Sequence, residues 1–400
     1  MLNIILLGLV SFFSDISSEM VYPVIPLYLT ARLGASPALV GVIEGISEST
    51  ASLLKVFSGY FTDRFSHKKP VAMLGYAGGL FYKAALIFSK SWHGVLFARV
   101  VDRAGKGIRT APRDVMIGES AGAGRIGRAF GIHKALDMAG SAIGIFISYL
   151  LLRHSETVFE AFDYKQLFLI SAVPALLGLA MFLFIKEKKA QSGKYVREPF
   201  WKNIRQLDSR LKLYLCVFFV FTLGNSSNAF LLLKAKDAGF DDTGVVLLYF
   251  VYNLVSSLLA IPLGRLSDII GRKKLLVAGY FTFSAVYACF AFAGSRPAFY
   301  FAFALYGIYT AMTAGVERAF ITDIAPAALK GTLLGLHSTL AGIALLPASV
   351  IAGLLWDAAG PKAPFLAGSA LALAAALVLL FFLGNTDTQD KETAGAAARD

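Results

Sequence analysis

Apolar runs, mostly 19–26 residues long, follow one another along almost the whole chain, with short polar turns between them. That length suits a helix crossing a hydrocarbon core about 30 Å thick. The runs occupy 3–29, 37–60, 71–89, 92–115, 129–152, 166–185, 211–233, 243–264, 274–293, 298–322, 332–356 and 364–384. In lipid every backbone N–H and C=O must be paired inside the segment, and helices achieve this one run at a time. The expectation is an all-α integral membrane protein with twelve spans in two groups of six. Hydrophobic residues make up 56% of the chain, more than a soluble core accommodates. The first run is too long for the apolar part of a cleavable leader and lacks a small-residue cleavage site after it, so it reads as a span.

The net charge of +12 would suit a nucleic-acid partner if it formed one patch. Instead it is distributed by loop. Alternate loops carry about 19 basic residues on one side and about 8 on the other, which places both termini in the cytoplasm by the positive-inside rule. No nucleic-acid partner is expected; the partners are membrane lipids and a small-molecule solute. Short outer loops suit the inner (plasma) membrane of a prokaryote. The basic stretch 186–210 reads as a connector lying on the anionic cytoplasmic leaflet, and 386–400, polar and of low complexity, reads as a disordered cytoplasmic tail. Cys216 and Cys289 lie inside apolar runs and read as packing residues.

The chain also repeats itself. Gly59, Asp63, Arg64, Lys68 and Lys69 form one basic turn; Gly264, Asp268, Gly271, Arg272, Lys273 and Lys274 form another, 205 residues on (264 − 59). Gly131-Ile-His133 is matched by Gly335-Leu-His337, 204 residues on (335 − 131). Asp15 corresponds to Asn225 and Glu48 to Asn253, and Gly107-Ile-Arg109 loosely parallels Gly315-Val-Glu317. Half-chain duplication of apolar segments is characteristic of secondary transporters.

The two turns resemble the loop motif of the major facilitator superfamily between helices two and three and between eight and nine. In the first copy Ser66 and His67 stand where the motif has glycine and a basic residue. The resemblance covers 1–385 and implies two pseudo-symmetric six-helix bundles, 1–185 and 211–385, that bind a solute between them by alternating access. It implies gating and stability roles for Asp63, Arg64, Asp268 and Arg272. It does not name the solute, because one fold hosts many functions. The fourth-helix motif is only partly met, with Asp102-Arg103 in place of Gln-Gly after Arg99, and the fifth-helix Gly-Pro pattern of many drug/proton antiporters is absent.

Span four carries Arg99, Asp102, Arg103, Lys106, Arg109 and Arg113 within an arc of roughly 120° at about 100° per residue. One charge at the bilayer centre costs about 2.5–3.5 kcal/mol on insertion scales. These groups therefore face a wet cavity, pair with acids, or both. The candidate acids are Asp15 and Glu19 on span one and Glu44 and Glu48 on span two, each pair four residues apart and so on one face. Two readings stay open. One is neutralisation within span four through Arg99–Asp102 and Asp102–Lys106 pairs. The other is solute contact by Arg103 and Lys106, with Glu48, Asn225, Asn228, Tyr252 and Asn253 as further solute ligands.

Asp15, Glu19, His133 and Asp137 are the expected proton-coupling groups, with His133 and Asp137 as a relay pair or as packing partners. Glu317 is expected to meet Arg109 across the bundles as an inner gate, or to pair with neighbours. Pro23, Pro26 and Pro347 are candidate bends.

No phosphate-binding loop and no metal-ligand spacing is present, so neither ATP nor a metal is expected; the coupling ion is H⁺ and there is no other cofactor. No nucleophile motif suggests an enzyme. A monomeric secondary transporter of a small, anionic solute is the expected activity. The rivals are proton-driven efflux of cationic or lipophilic compounds, and a non-transporting membrane sensor or assembly factor on the same fold.

Overall fold

A computed structural model describes residues 2–64, 68–121, 126–157, 163–187, 209–324 and 330–382. The connector from 188 to 208, the tail, and His67 lie outside the described residues, as do the side chains of Asp63 and Arg64. The described residues form twelve helical segments: α1 Leu2–Ala31, α2 Pro37–Arg64, α3 Lys68–Phe88, α4 Trp92–Ser120, α5 Ile126–Thr157, α6 Tyr164–Phe184, α7 Ser209–Asp237, α8 Asp242–Ile270, α9 Arg272–Phe292, α10 Arg296–Ile324, α11 Lys330–Ala359 and α12 Ala363–Phe382. Ten of them are long and apolar enough to cross a membrane; α2 and α4 are the other two. Both are the segments that carry the charged stripes, so the groups that make them atypical spans are also the candidate site.

The burial pattern departs from a soluble protein's. Phe88, Leu183, Ile269 and Phe381 stand exposed, whereas Arg99, Lys83 and Glu44 are nearly inaccessible. Apolar atoms face lipid and polar atoms face one another, as membrane solvation requires.

Three segments are interrupted. α1 tightens into a 3₁₀ turn at Tyr22–Val24, around Pro23, one of the positions expected to bend. α7 breaks between Gly224 and Ala229 at Asn225–Asn228, and α10 between Thr313 and Val316. Neither of these two contains proline. At the α7 break, polar Asn and Ser side chains offer the backbone alternative partners. Pro347 lies within α11, which runs through it uninterrupted.

Packing groups the first six segments together and the last six together, with α2 against α11 and α5 against α8 as the main contacts between them. We call the end that carries Leu2 and Phe382 the terminal face and the opposite end the distal face. The ties between halves concentrate toward the distal face: Ala38 N–H donates to Asp357 (3.2 Å), Tyr164 to Asp242 (2.5 Å), and Phe146 packs on Phe250 at 5.7 Å. Small residues set the α2–α11 spacing. A Cβ on Gly353 would lie 2.6 Å from Ala38 Cα, one on Gly342 2.9 Å from Ser52 Cβ, and one on Gly41 would collide with Ser349 O. On the same stripe of α11, two turns nearer the terminal face, Gly335 has nothing within 4 Å among the described residues. Toward the distal face the seam is closed.

Candidate functional site

The α4 stripe is neutralised, but not within α4. The expected Arg99–Asp102 and Asp102–Lys106 pairs do not form. α2 and α4 run in the same direction, and their charges meet as successive rungs: Arg99 pairs with Glu44, and one turn on Arg103 pairs with Glu48 at 2.7 Å. Spacing by four on both helices makes the rungs coincide. Both guanidinium groups lie over the ring of Tyr22, at 5.3 and 5.6 Å, a cation–π geometry. The 3₁₀ turn of α1 is what presents Tyr22 there. Asp102 points away from the rungs toward Lys83 of α3, whose ammonium is buried without a hydrogen-bond partner and lies 5.0 Å from the Tyr82 ring. Close packing of Gly75 against Gly105 brings α3 near enough for this.

The Lys106 ammonium has no ion pair or hydrogen bond among the described residues, although its carbonyl accepts from Thr110 at 2.7 Å. Its electrostatic neighbours are Asp15, Glu19, Glu48 and Lys55. Arg109 donates to Ser14 at 3.0 Å and lies 4.1 Å from the Tyr76 ring. Arg113 pairs with Asp114 at 2.9 Å and reaches Ser11 at 3.5 Å.

The expected proton-coupling groups are brought together in part. Asp15 and Asp137 meet carboxyl to carboxyl in hydrogen-bonding contact. Two carboxylates offer no donor between them, so such a contact needs a shared proton. Lys134 binds Asp137 Oδ2 at 2.8 Å. His133 does not pair with Asp137: its Nε2 meets Ser11 Oγ at 2.8 Å instead. One turn apart on a helix brings two side chains to one face but does not make them partners, and α1 supplies a better-placed group. Glu19 accepts a hydrogen bond from Tyr249 of α8 at 3.3 Å, across the halves.

In the second half the wall is aromatic. Asn225 donates to Tyr309 (3.0 Å), and Tyr306 donates to Asn228 (2.8 Å), so the α7 break is held by α10. Tyr252 packs between Tyr249 and Tyr306 at 5.5 and 5.0 Å. Asn253 donates to the Tyr249 carbonyl of its own helix at 2.9 Å.

Glu317 and Arg109 are not paired. Glu317 takes a hydrogen bond from Tyr280 at 3.4 Å and lies 3.9 Å from His337 Nε2. His133 and His337 are repeat equivalents, and at the same offset Glu317 corresponds to Arg113, an electrostatic neighbour of His133, not to Arg109; the charge is reversed between copies.

The doubled turn performs the same structural task twice. Lys68 pairs with Glu119 at the end of α4, and Arg272 pairs with Asp323 at the end of α10 (2.5 Å) and with Asp268 (3.3 Å). Gly271 takes φ 95° to turn from α8 into α9, a conformation that favours glycine. Glu187, at the start of the connector, receives the backbone N–H groups of Lys68 and Lys69.

Sequence reasoning passed over Tyr22, Lys83 and Lys55. Lys55 sits two turns after Glu48 on the terminal side of α2. No cluster of three His, Cys, Asp or Glu residues suited to a metal occurs among the described residues.

The family model described as Major Facilitator Superfamily matches residues 7–234 and 213–399. An uncharacterised MFS-type transporter of Methanocaldococcus jannaschii is 37% identical over 385 residues, 95% of this chain and 94% of the relative. A multidrug resistance protein, MdtH, of Aeromonas hydrophila is 21% identical over 79% of this chain and 78% of its own. Among solved structures, the nucleoside transporter NupG superposes with a TM-score of 0.76 at 12% identity, covering 96% of this chain and all of that one (100%). A D-xylose-proton symporter superposes at 0.74 and 14% identity, covering 95% and 97%. At these identities the structures share the fold.

Proposed function

The chain belongs to the Major Facilitator Superfamily, and from that premise we propose that it is a proton-coupled transporter of an anionic small solute. The family makes it a non-enzymatic, multi-pass membrane transporter of small molecules. We place it as a monomer in a prokaryotic inner membrane, with α2 and α4 spanning alongside the ten more apolar segments and the terminal face toward the cytoplasm. Arg103 and Lys106 hold the solute in the first half. Asn225, Asn228, Tyr252 and Asn253 line the opposite wall. Asp268 and Arg272 brace the second terminal turn.

One observation carries the coupling: Asp15 contacts Asp137 and is also a near neighbour of Lys106. With the carboxyl pair protonated, Lys106 loses its acidic competitor and is free for an anion. Without that proton, Asp15 competes for it. Proton and anion then favour each other's binding, which is the linkage that symport requires. His133 and Glu19 sit beside this pair as further proton carriers.

The test is flux in proteoliposomes, with and without a pH gradient, for solutes found by thermal-shift screening. Gradient-driven accumulation of an anion by the wild type, lost in Asp15→Asn while exchange persists, is the expected result. Flux indifferent to the gradient refutes the coupling.

A second reading has its own support. Glu19 accepts from Tyr249 and lies near Tyr252, while Tyr22 packs on Tyr249 at 5.6 Å; a carboxylate beside aromatic faces suits a cation. Efflux of cationic compounds predicts resistance on expression, lost in Glu19→Gln and kept in Lys106→Gln.

A further inference from the structure

Gly75, Gly78 and Gly79 lie on the face that α3 turns to α4, and Lys83 follows one turn on. A Cβ on Gly75 would come 2.6 Å from Gly105 O, and one on Gly78 3.4 Å from Val101 O. The two helices therefore approach closely between Val101 and Gly105. A Cβ on Gly79 would lie 3.7 Å from Asp102 Oδ1 and 4.0 Å from Lys83 Nζ. Carboxylate and ammonium thus border the same point, at the end of the glycine contact. Lys83 is fully buried, its ammonium has no hydrogen-bond partner, and the Tyr82 ring lies 5.0 Å away. Of the other charged groups near it, Arg103 and Arg109 repel it, and Asp15 is already in contact with Asp137. Asp102 is the acid left to answer it.

We infer that Lys83 is a positioning residue for solute binding: it holds Asp102 on the α3 side of α4 and so keeps Lys106 free for an anion. The inference rests on the anionic-solute reading and extends it to a residue that touches no solute. Asp102 stands four residues before Lys106 on α4, the acid-first order that favours pairing along a helix. Yet that pair does not form. Burial decides the competition. Lys83 is out of reach of water, whereas Lys106 is only half-buried. Stranding a charge in the interior costs far more than leaving a wetted one unpaired, so Asp102 goes to Lys83. Without the Lys83 charge, Asp102 turns along its own helix to Lys106. It then competes with the solute, as a second acid beside Asp15.

The experiment uses the full chain in detergent. The probes are acetate, inorganic phosphate and succinate, with tetraphenylphosphonium as the cationic control, and binding lost in Lys106→Gln marks the site. Lys83→Met is expected to weaken anion binding about tenfold, the effect of one competing charged hydrogen bond. Lys83→Met combined with Asp102→Asn is expected to return to near the wild-type affinity, because the competitor is gone. A packing role for Lys83 predicts no such rescue. Gly79→Leu parts the same two groups while keeping both charges, and takes the place of Lys83→Met if that variant does not fold. Its loss of binding should likewise be restored by Asp102→Asn. Thermal unfolding without any probe reads the pair itself. Each single variant is expected to melt below the double variant, since either change alone strands a buried charge.

Anion binding in Lys83→Met or Gly79→Leu equal to the wild type's, or a loss that Asp102→Asn leaves in place, overturns the positioning role and leaves Lys106 as the anion ligand. Anion binding unaffected by Lys106→Gln, or binding of tetraphenylphosphonium alone, overturns the anionic reading and the positioning role with it. A double variant no more stable than either single variant overturns the Lys83–Asp102 link whatever the protein binds.

Discussion

Ser227 donates a hydrogen bond of 3.2 Å to Glu44, the carboxylate that also receives Arg99. One acid of the first half thereby joins a buried arginine to the broken helix of the second. Ser227 Oγ in turn accepts from Ala229 N–H at 3.2 Å, the first residue after the break in α7. A helix that starts inside the molecule leaves N–H groups unpaired and a partial positive charge. Glu44, through Ser227, is the counter-charge for that start.

This tie should hold the distal face closed. Removing it in Ser227→Ala leaves the Arg99–Glu44 pair intact and costs about 1 kcal/mol of closure. Spin labels at Ala31→Cys and Ala238→Cys are expected to report a larger distal-open population. An unchanged distance distribution would mean that the seam glycines alone keep the face closed.

The first rung is a different case. Both partners of Arg99–Glu44 are almost wholly buried, so deleting either strands the other. Glu44→Ala is expected to destabilise by about 3–5 kcal/mol, the range for an orphaned buried charge. Glu48→Ala should cost less, because the Glu48 side chain keeps 29% exposure and water can reach Arg103. Thermal unfolding of the two variants in one detergent checks the order, and equal losses would refute the distinction.

How much of this was legible in the residues follows from what each inference required. The spans and the turns came from length, hydropathy and repetition, which are properties of the chain alone. The charged faces of α2 and α4 were also visible, because helical periodicity assigns residues to a face. Partners were not. Glu44 meets Arg99 because two helices lie side by side in one register, and no local pattern encodes that register. His133 turned to Ser11 rather than Asp137 for the same reason. The α7 break has a local signal, Asn225-Ser226-Ser227-Asn228, but it competes with a strongly apolar flank and was read as polar lining. The repeat aided alignment where both copies kept a residue, as at the two histidines, and misled where α10 breaks, pairing Glu317 with Arg109 instead of Arg113.

The α2–α11 seam offers a steric test. Gly353→Val places a branched side chain where a Cβ alone would come 2.6 Å from Ala38 Cα. Backbone cannot yield as a flexible side chain does, so the distal face must part. Overpacking of this kind costs about 1–3 kcal/mol. The expected variant folds, favours the distal-open state and transports poorly. An unchanged resting distal distance in this variant would show that the seam does not act as the distal closure.

The Asp15–Asp137 contact predicts a proton count. If the pair must hold its shared proton for Lys106 to be free, anion binding takes up a proton whenever the pair is ionised beforehand. Affinity then rises as pH falls, by up to about tenfold per pH unit for one linked proton, and levels off once the pair is protonated. Calorimetric titration in buffers of different ionisation enthalpy measures the uptake directly. Asp15→Asn supplies a permanent donor to Asp137 and removes the charge beside Lys106. That variant is expected to bind the anion with no net proton uptake and a flat pH profile, at the affinity the wild type reaches at low pH. Wild-type binding without proton uptake across the titration range would show that the carboxyl pair is only a packing contact.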